Sequence, residues 1–138
     1  MTLAPPRSIH LPRVGHKAPI PLGARVGSLI WSSAIAGKDP ATGDLPADVQ
    51  AQVANAFANM RALLQAGGAS LADVVRLTVT QCDEAVRAPL NAHWLECFPD
   101  PADRPARHVL THPLQHGMWL QLEVVALVQQ PDRDRLQP

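Results

Sequence analysis

Apolar and polar residues alternate most regularly near the C-terminal end of the chain. In MWLQLEVVALV, an extended backbone puts Leu120, Leu122, Val124, Ala126 and Val128 on one face and Trp119, Gln121, Glu123, Val125 and Leu127 on the other. The first face suits helices packed on a sheet. The second is too apolar to be left fully wet and predicts cover by another subunit. A helical period replaces this alternation in PADVQAQVANAFANMRALLQAGG, where Val49, Val53, Phe57, Met60 and Leu64 recur and Gly67–Gly68 supply a stop. ADVVRLTVTQC is β-branched and alternating, a strand. DEAVRAPLNAHWLECFPD predicts a second helix whose body begins near Pro89 and ends before Pro99, with Leu90, Trp94 and Cys97 or Phe98 as its buried stripe.

Ahead of the first helix, PLGARVGSLIWSSAIAG predicts two short strands about Gly27, and KDPATGDLPAD has turn chemistry. RPARHVLTHP begins a strand with Arg107 at its head, placed to pair with the closing strand. The expected order is ββαβαββ, an α+β layer with both helices on one side of the sheet. Residues 1–17, with Pro5, Pro6 and Pro12, read as an extended arm, 18–129 as the folded domain and 130–138 as a polar tail.

Composition narrows the possible functions. A chain of 138 residues, 46% apolar, can bury one core. Lysines and arginines balance acidic residues at 12 each and form no basic run, which argues against a nucleic-acid or anionic-membrane surface. The N-terminal segment is broken by prolines and charges and has no signal-peptide core, so a cytoplasmic location is expected. Cys82 and Cys97 have no metal-ligand spacing and read as reduced thiols. Neither HxH nor HExxH occurs, so no metal site is expected. His108 and His112 face away from Arg107 on a regular strand. His93 falls in the second helix. His116 falls in the loop between the last two strands, where a distortion could turn it towards a cleft.

Several strings together resemble the RidA family, also called YjgF or the reactive intermediate deaminase family. They are IWSSAIAG, DPATGDLPADVQAQ, NMRALLQAGGASLADVVRLTV, LNAHWLECFPD, RPARHVL and LQLEVVALV, and they span about Ala18 to Val128. The resemblance implies a chorismate-mutase-like α+β fold, a mixed sheet with two helices on one face. It also implies a homotrimer with ligand clefts between subunits. The family's best-known activity is hydrolysis of reactive enamines and imines of amino acids to 2-oxo acids and ammonia. It requires a cation for the substrate carboxylate and groups that orient the imine and a water. No metal or organic cofactor is implied.

Residue by residue, Arg107 matches the family's carboxylate-binding arginine, whose guanidinium can make two parallel hydrogen bonds to a carboxylate. Asn91 matches an asparagine near the cleft, and Ser33 a serine beside it. Ala34 stands where a glycine is usual; its Cβ could narrow the pocket or disturb a backbone suited to positive φ. Val109 stands where some relatives carry a cysteine. Ile20 replaces a tyrosine. Gln121 replaces the glutamate linked to water positioning, if the loop THPLQHGMW is one residue shorter than in relatives. Glu123 lies on the same strand face and matches a second acidic position, a possible substitute for the missing acid or an interface carboxylate. A glutamine can orient a water, but its amide is not a useful proton acceptor. Two readings therefore stand: a hydrolytic deaminase, or a non-deaminating trimer that binds a small carboxylate. The ribonuclease role also named for the family lacks a basic stripe to support it.

Overall fold

Asp48 starts the long helix that the period over residues 49–64 predicts. Its Oδ2 accepts from the Ala51 N–H at 2.9 Å, which satisfies one of the donors a first turn leaves open. Helix α1 runs Val49–Ala66. Past it, Gly68 takes φ 82°, a left-handed conformation made easy by its missing Cβ. Val53, Phe57, Met60 and Leu64 are buried, joined by Ala56 and Leu63. Two polar side chains, Gln52 and Asn59, share that buried face, and nothing in the hydrophobic period marks them.

A computed structural model describes residues 5–129. Its strands are β1 Ser8–Ile9, β2 Gly23–Val26, β3 Leu29–Ser32, β4 Ile35–Ala36, β5 Val74–Gln81, β6 Ala106–Thr111 and β7 Leu120–Leu127; the second helix, α2, is Arg87–Cys97. The expected order ββαβαββ thus gains two two-residue strands, β1 and β4. The first lies within the segment read as an arm. It pairs with β2, and Ile9 and Val14 are buried. Residues 130–138, read as a tail, lie outside the described residues. No helix among the described residues is long and apolar enough to cross a membrane.

The strands form one mixed sheet in the order β1-β2-β3-β7-β5-β6, with β4 also paired to β7. Only β5 and β6 are parallel among the described pairs. This corrects the expectation that β6 pairs with β7. Helix α2 is a crossover connection, so it returns the chain parallel to β5 at the sheet edge. Residues 112–119 then carry the chain past β5, and β7 enters between β3 and β5. Leu120, Leu122, Val124 and Ala126 are fully buried there, as the alternation predicts. Burying four such side chains favours a central position by several kcal/mol, at roughly 25 cal/mol per Å² of apolar surface. The half-exposed β6 gains less from one and takes the edge.

Where β3 passes into β4 the pairing slips. Trp31 opposes Val125 and Ile35 opposes Leu122, so four steps along one strand match three along the other. The buried Ser32 caps the irregularity by accepting the Val124 N–H at 2.8 Å. A bulge of this kind re-aims the residues that follow it. Here those are Ser33 and Ala34.

Candidate functional site

Arg107 enters β6 from a turn held by another arginine. The Arg104 guanidinium donates to the carbonyls of Phe98 at 2.9 Å and Pro99 at 3.3 Å, which fixes the chain between α2 and β6. Leu77 lies beside Arg107 in the parallel register, and Leu77 faces the helices. The Arg107 guanidinium therefore also turns to the helix side and lies 5.0 Å over the ring of Trp94, a cation–π contact. Its Nη1 is buried and has no hydrogen-bond partner among the described residues. Burial, and then the nearby charge of Arg87, hold its pKa below the ordinary arginine value. Arg87 is itself tied to Glu84 at 3.2 Å. Positions 87, 91 and 94 recur at helical spacing, so Arg87, Asn91 and Trp94 share a stripe of α2. The half-buried Val109 follows on the same strand face as Arg107. The result is a half-buried cation on the edge strand with an unmet N–H, an arrangement suited to a small anion.

A cavity of roughly 450 Å³ forms elsewhere, and Arg107 is not among the residues of its wall. Ala36 and Gln121 bring strands β4 and β7 to it, Ala34 the link before β4, and Lys17, Lys38 and His116 bring polar groups from loops. Gln121 opposes Ala36 in β4 and Thr80 in β5, and its Nε2 lies 3.5 Å from the Met118 sulfur. Ala34 offers its Cβ to the cavity without a left-handed backbone, since the non-glycine residues with positive φ among those described are Arg13 and His116. The disturbance considered for an alanine here does not arise. The Ser33 hydroxyl donates to Pro21 O at 2.9 Å, which anchors the segment just after Ile20. Ile20 itself is 45% exposed.

The sheet separates these groups. Gln121 and Glu123 lie on the face opposite the helices, while Arg107, Val109 and Asn91 lie on or against the helix side. Glu123 is exposed, opposite Thr78, and is not part of the cavity wall. His108 shares its open face and comes within 3.4 Å of Arg76, so it does turn away from Arg107. Around it that face carries exposed apolar residues, among them Trp31 at 58% and Leu127 at 49% exposure. Three features escaped notice in the sequence: Trp94 beneath Arg107, Gln52 behind the loop that carries His116, and the lysines in the cavity wall. The α2 stripe of positions 87, 91 and 94 was the available signal for the first. Among the described residues no group of three His, Cys, Asp or Glu side chains could hold a metal ion.

A family model described as Endoribonuclease L-PSP matches residues 21–128. The chain is 32% identical over 119 residues to a RutC family protein of Haemophilus influenzae, covering 80% of this chain and 92% of the relative. It is also 32% identical over 107 residues to the 2-iminobutanoate/2-iminopropanoate deaminase of Escherichia coli, covering 76% and 84%. The crystal structure of E. coli TdcF with bound serine superposes with a TM-score of 0.80 at 28% identity, over 89% of this chain and 99% of that one.

Proposed function

The chain belongs to the endoribonuclease L-PSP family, the family of RidA and YjgF, and on that premise we propose that it hydrolyses small reactive enamine or imine carboxylates to 2-oxo acids and ammonia. The single observation that carries this reading is the buried, unmet Nη1 of Arg107 above Trp94. A substrate carboxylate meets that N–H and offsets the two neighbouring positive charges of Arg87 and Arg107. Asn91, on the same side, orients the bound acid, and Val109 lines its apolar flank.

Arg107 and Gln121 lie on opposite faces of one sheet, so the reading requires a second copy. The open face bears Leu29, Trp31 and Leu127, an apolar surface that a neighbour would cover. In the proposed homotrimer, Arg107, Asn91 and Val109 of one copy meet Ile20, Ser33, Ala34 and Gln121 of the next. Gln121 holds a water by hydrogen bonding. Glu123 stays on the subunit boundary as an interface carboxylate.

The test is ammonia release from 2-iminopropanoate, made in situ by oxidising alanine. Acceleration over buffer by the wild type, abolished in Arg107→Ala, is the expected result; equal rates with and without protein would sink the reading. A second reading has its own support. Gln121 in place of a carboxylate and Ile20 in place of a tyrosine suit a trimer that binds a carboxylate without turning it over. That reading predicts thermal stabilisation by 2-oxo acids, dependent on Arg107, with no acceleration of hydrolysis.

A further inference from the structure

The cavity that holds Gln121 contains a better proton acceptor than Gln121. We propose that His116 is the general base of imine hydrolysis, taking the proton of the water that Gln121 orients; this rests on the deaminase reading above. His116 lines the same cavity as Gln121 and Met118. The residue is exposed on its loop. Its backbone is held at φ 62°, in the left-handed region that non-glycine residues rarely adopt, and Gly117 follows at φ 80°. Such conformations persist where the surroundings over-determine them, often at functional sites.

The surroundings here are specific. Gln52, fully buried on α1, donates through Nε2 to Gly117 O at 2.9 Å and to Pro46 O at 2.6 Å. Its Oε1 accepts the Trp119 N–H at 2.8 Å. One buried amide thus uses both its ends to hold the loop at Gly117 and Trp119, on either side of Met118 and next to His116. Gly37 makes this possible, because a Cβ there would collide with the Gln52 backbone. The loop is fixed from behind by the core, and His116 lines the cavity in front of it. Glu123, the carboxylate nearest to Gln121 along the strand, is outside the cavity wall. The other titratable groups in that wall are His16 and Lys17 from the segment before β2, and Lys38 and Asp44 from the turn before α1. The His16 Nε2 is buried without a partner among the described residues and is closed to water. Lys38 is tied to Gly15 O at 2.8 Å.

The step balances within the chain's own groups. Water adds to the carbon of the iminium, the C=N π pair moves to nitrogen, and the proton lost by the water passes to the imidazole of His116. The imidazolium then protonates the amino group of the carbinolamine. Ammonia leaves as the C=O bond forms, and it carries away the hydroxyl proton as ammonium. Water and iminium are consumed, and His116 returns to its starting form.

The experiment compares wild type, His116→Asn, His16→Gln and Asp44→Asn on 2-iminopropanoate across pH, each measured against buffer at the same pH. Asparagine is chosen because it tolerates the left-handed backbone. His116→Asn should slow hydrolysis by about 10²-fold, the size of a general-base contribution. It should leave the thermal shift with pyruvate unchanged. It should also flatten whatever rise of rate with pH the wild type shows, since a general base acts only when unprotonated. Adding Gln121→Glu to His116→Asn should restore part of the rate. If the wild type accelerates hydrolysis and His116→Asn keeps both its rate and its pH profile, His116 is not the base while the deaminase reading survives. Loss of the pH-dependent limb in Asp44→Asn or His16→Gln instead also overturns the assignment. If the wild type shows no acceleration, the deaminase reading and the His116 assignment fall together.

Discussion

Arg107 sets an unusual balance for one side chain. Burial and Arg87 disfavour its charged form, yet guanidinium stays protonated at physiological pH. For a base whose folded-state pKa is lowered, the unfolded chain binds more protons in the window between the two pKa values. Stability therefore rises with pH only in that window, just below the ordinary arginine value, and is flat in this respect around neutrality. Arg107→Met keeps contact with Trp94 and removes the charge. It should cost less than about 1 kcal/mol in urea denaturation, because the lost cation–π contact is offset by relief of the unmet N–H. Pyruvate should raise the melting temperature of the wild type and leave that of the variant unmoved. A large loss of stability would instead make Arg107 a structural residue. Its position was legible in RPARHVL, but its orphaned Nη1 was not, because that depends on Trp94 and Arg87 arriving from another element.

At the scale of elements, α1 does more than cover the sheet. Its apolar stripe was legible because helical spacing is a local property. Gln52 and Asn59 were not, since an isolated polar residue in a helix ordinarily reads as a solvated one. Yet Asn59 donates to Lys38 O at 2.8 Å and Ala36 O at 3.2 Å, while Gln52 holds the loop before β7. Gln52→Ala should therefore cost about 2–3 kcal/mol in urea denaturation, by leaving buried backbone groups unmet. The same variant should lower imine hydrolysis more than it lowers pyruvate binding, because it frees the His116 loop and leaves Arg107 in place. Equal losses in both would mean that α1 supports the whole fold without favouring the cavity.

Across the whole molecule, the sheet divides Arg107 from the cavity. Two experiments follow from the proposed trimer. Trp31→Glu, in the centre of the open face, should dissociate the assembly in sedimentation and abolish turnover while circular dichroism stays unchanged. Mixing Arg107→Ala with His116→Asn under subunit exchange should recover up to about a quarter of wild-type turnover, since at equal amounts one boundary in four pairs two intact halves. No recovery from well-exchanged mixtures would place both groups in one copy's site. Recovery needs no new contact, only the right neighbours.

The sequence by itself determined the alternation of β7, the stripe of α1, the turn before it and the family. Each of these is written in neighbouring residues or in strings that survive as strings. The two faces of β7 followed directly, including the apolar character of the outer one. Tertiary structure decided what those faces meet. It put β7 between β3 and β5 and left β6 at the edge, because hydrogen-bonded order depends on where a crossover returns the chain. It placed Arg107 on one side of the sheet and Gln121 on the other. It also turned His116, a loop residue without a motif, into part of a cavity wall, because a buried glutamine far away in sequence holds the backbone that carries it.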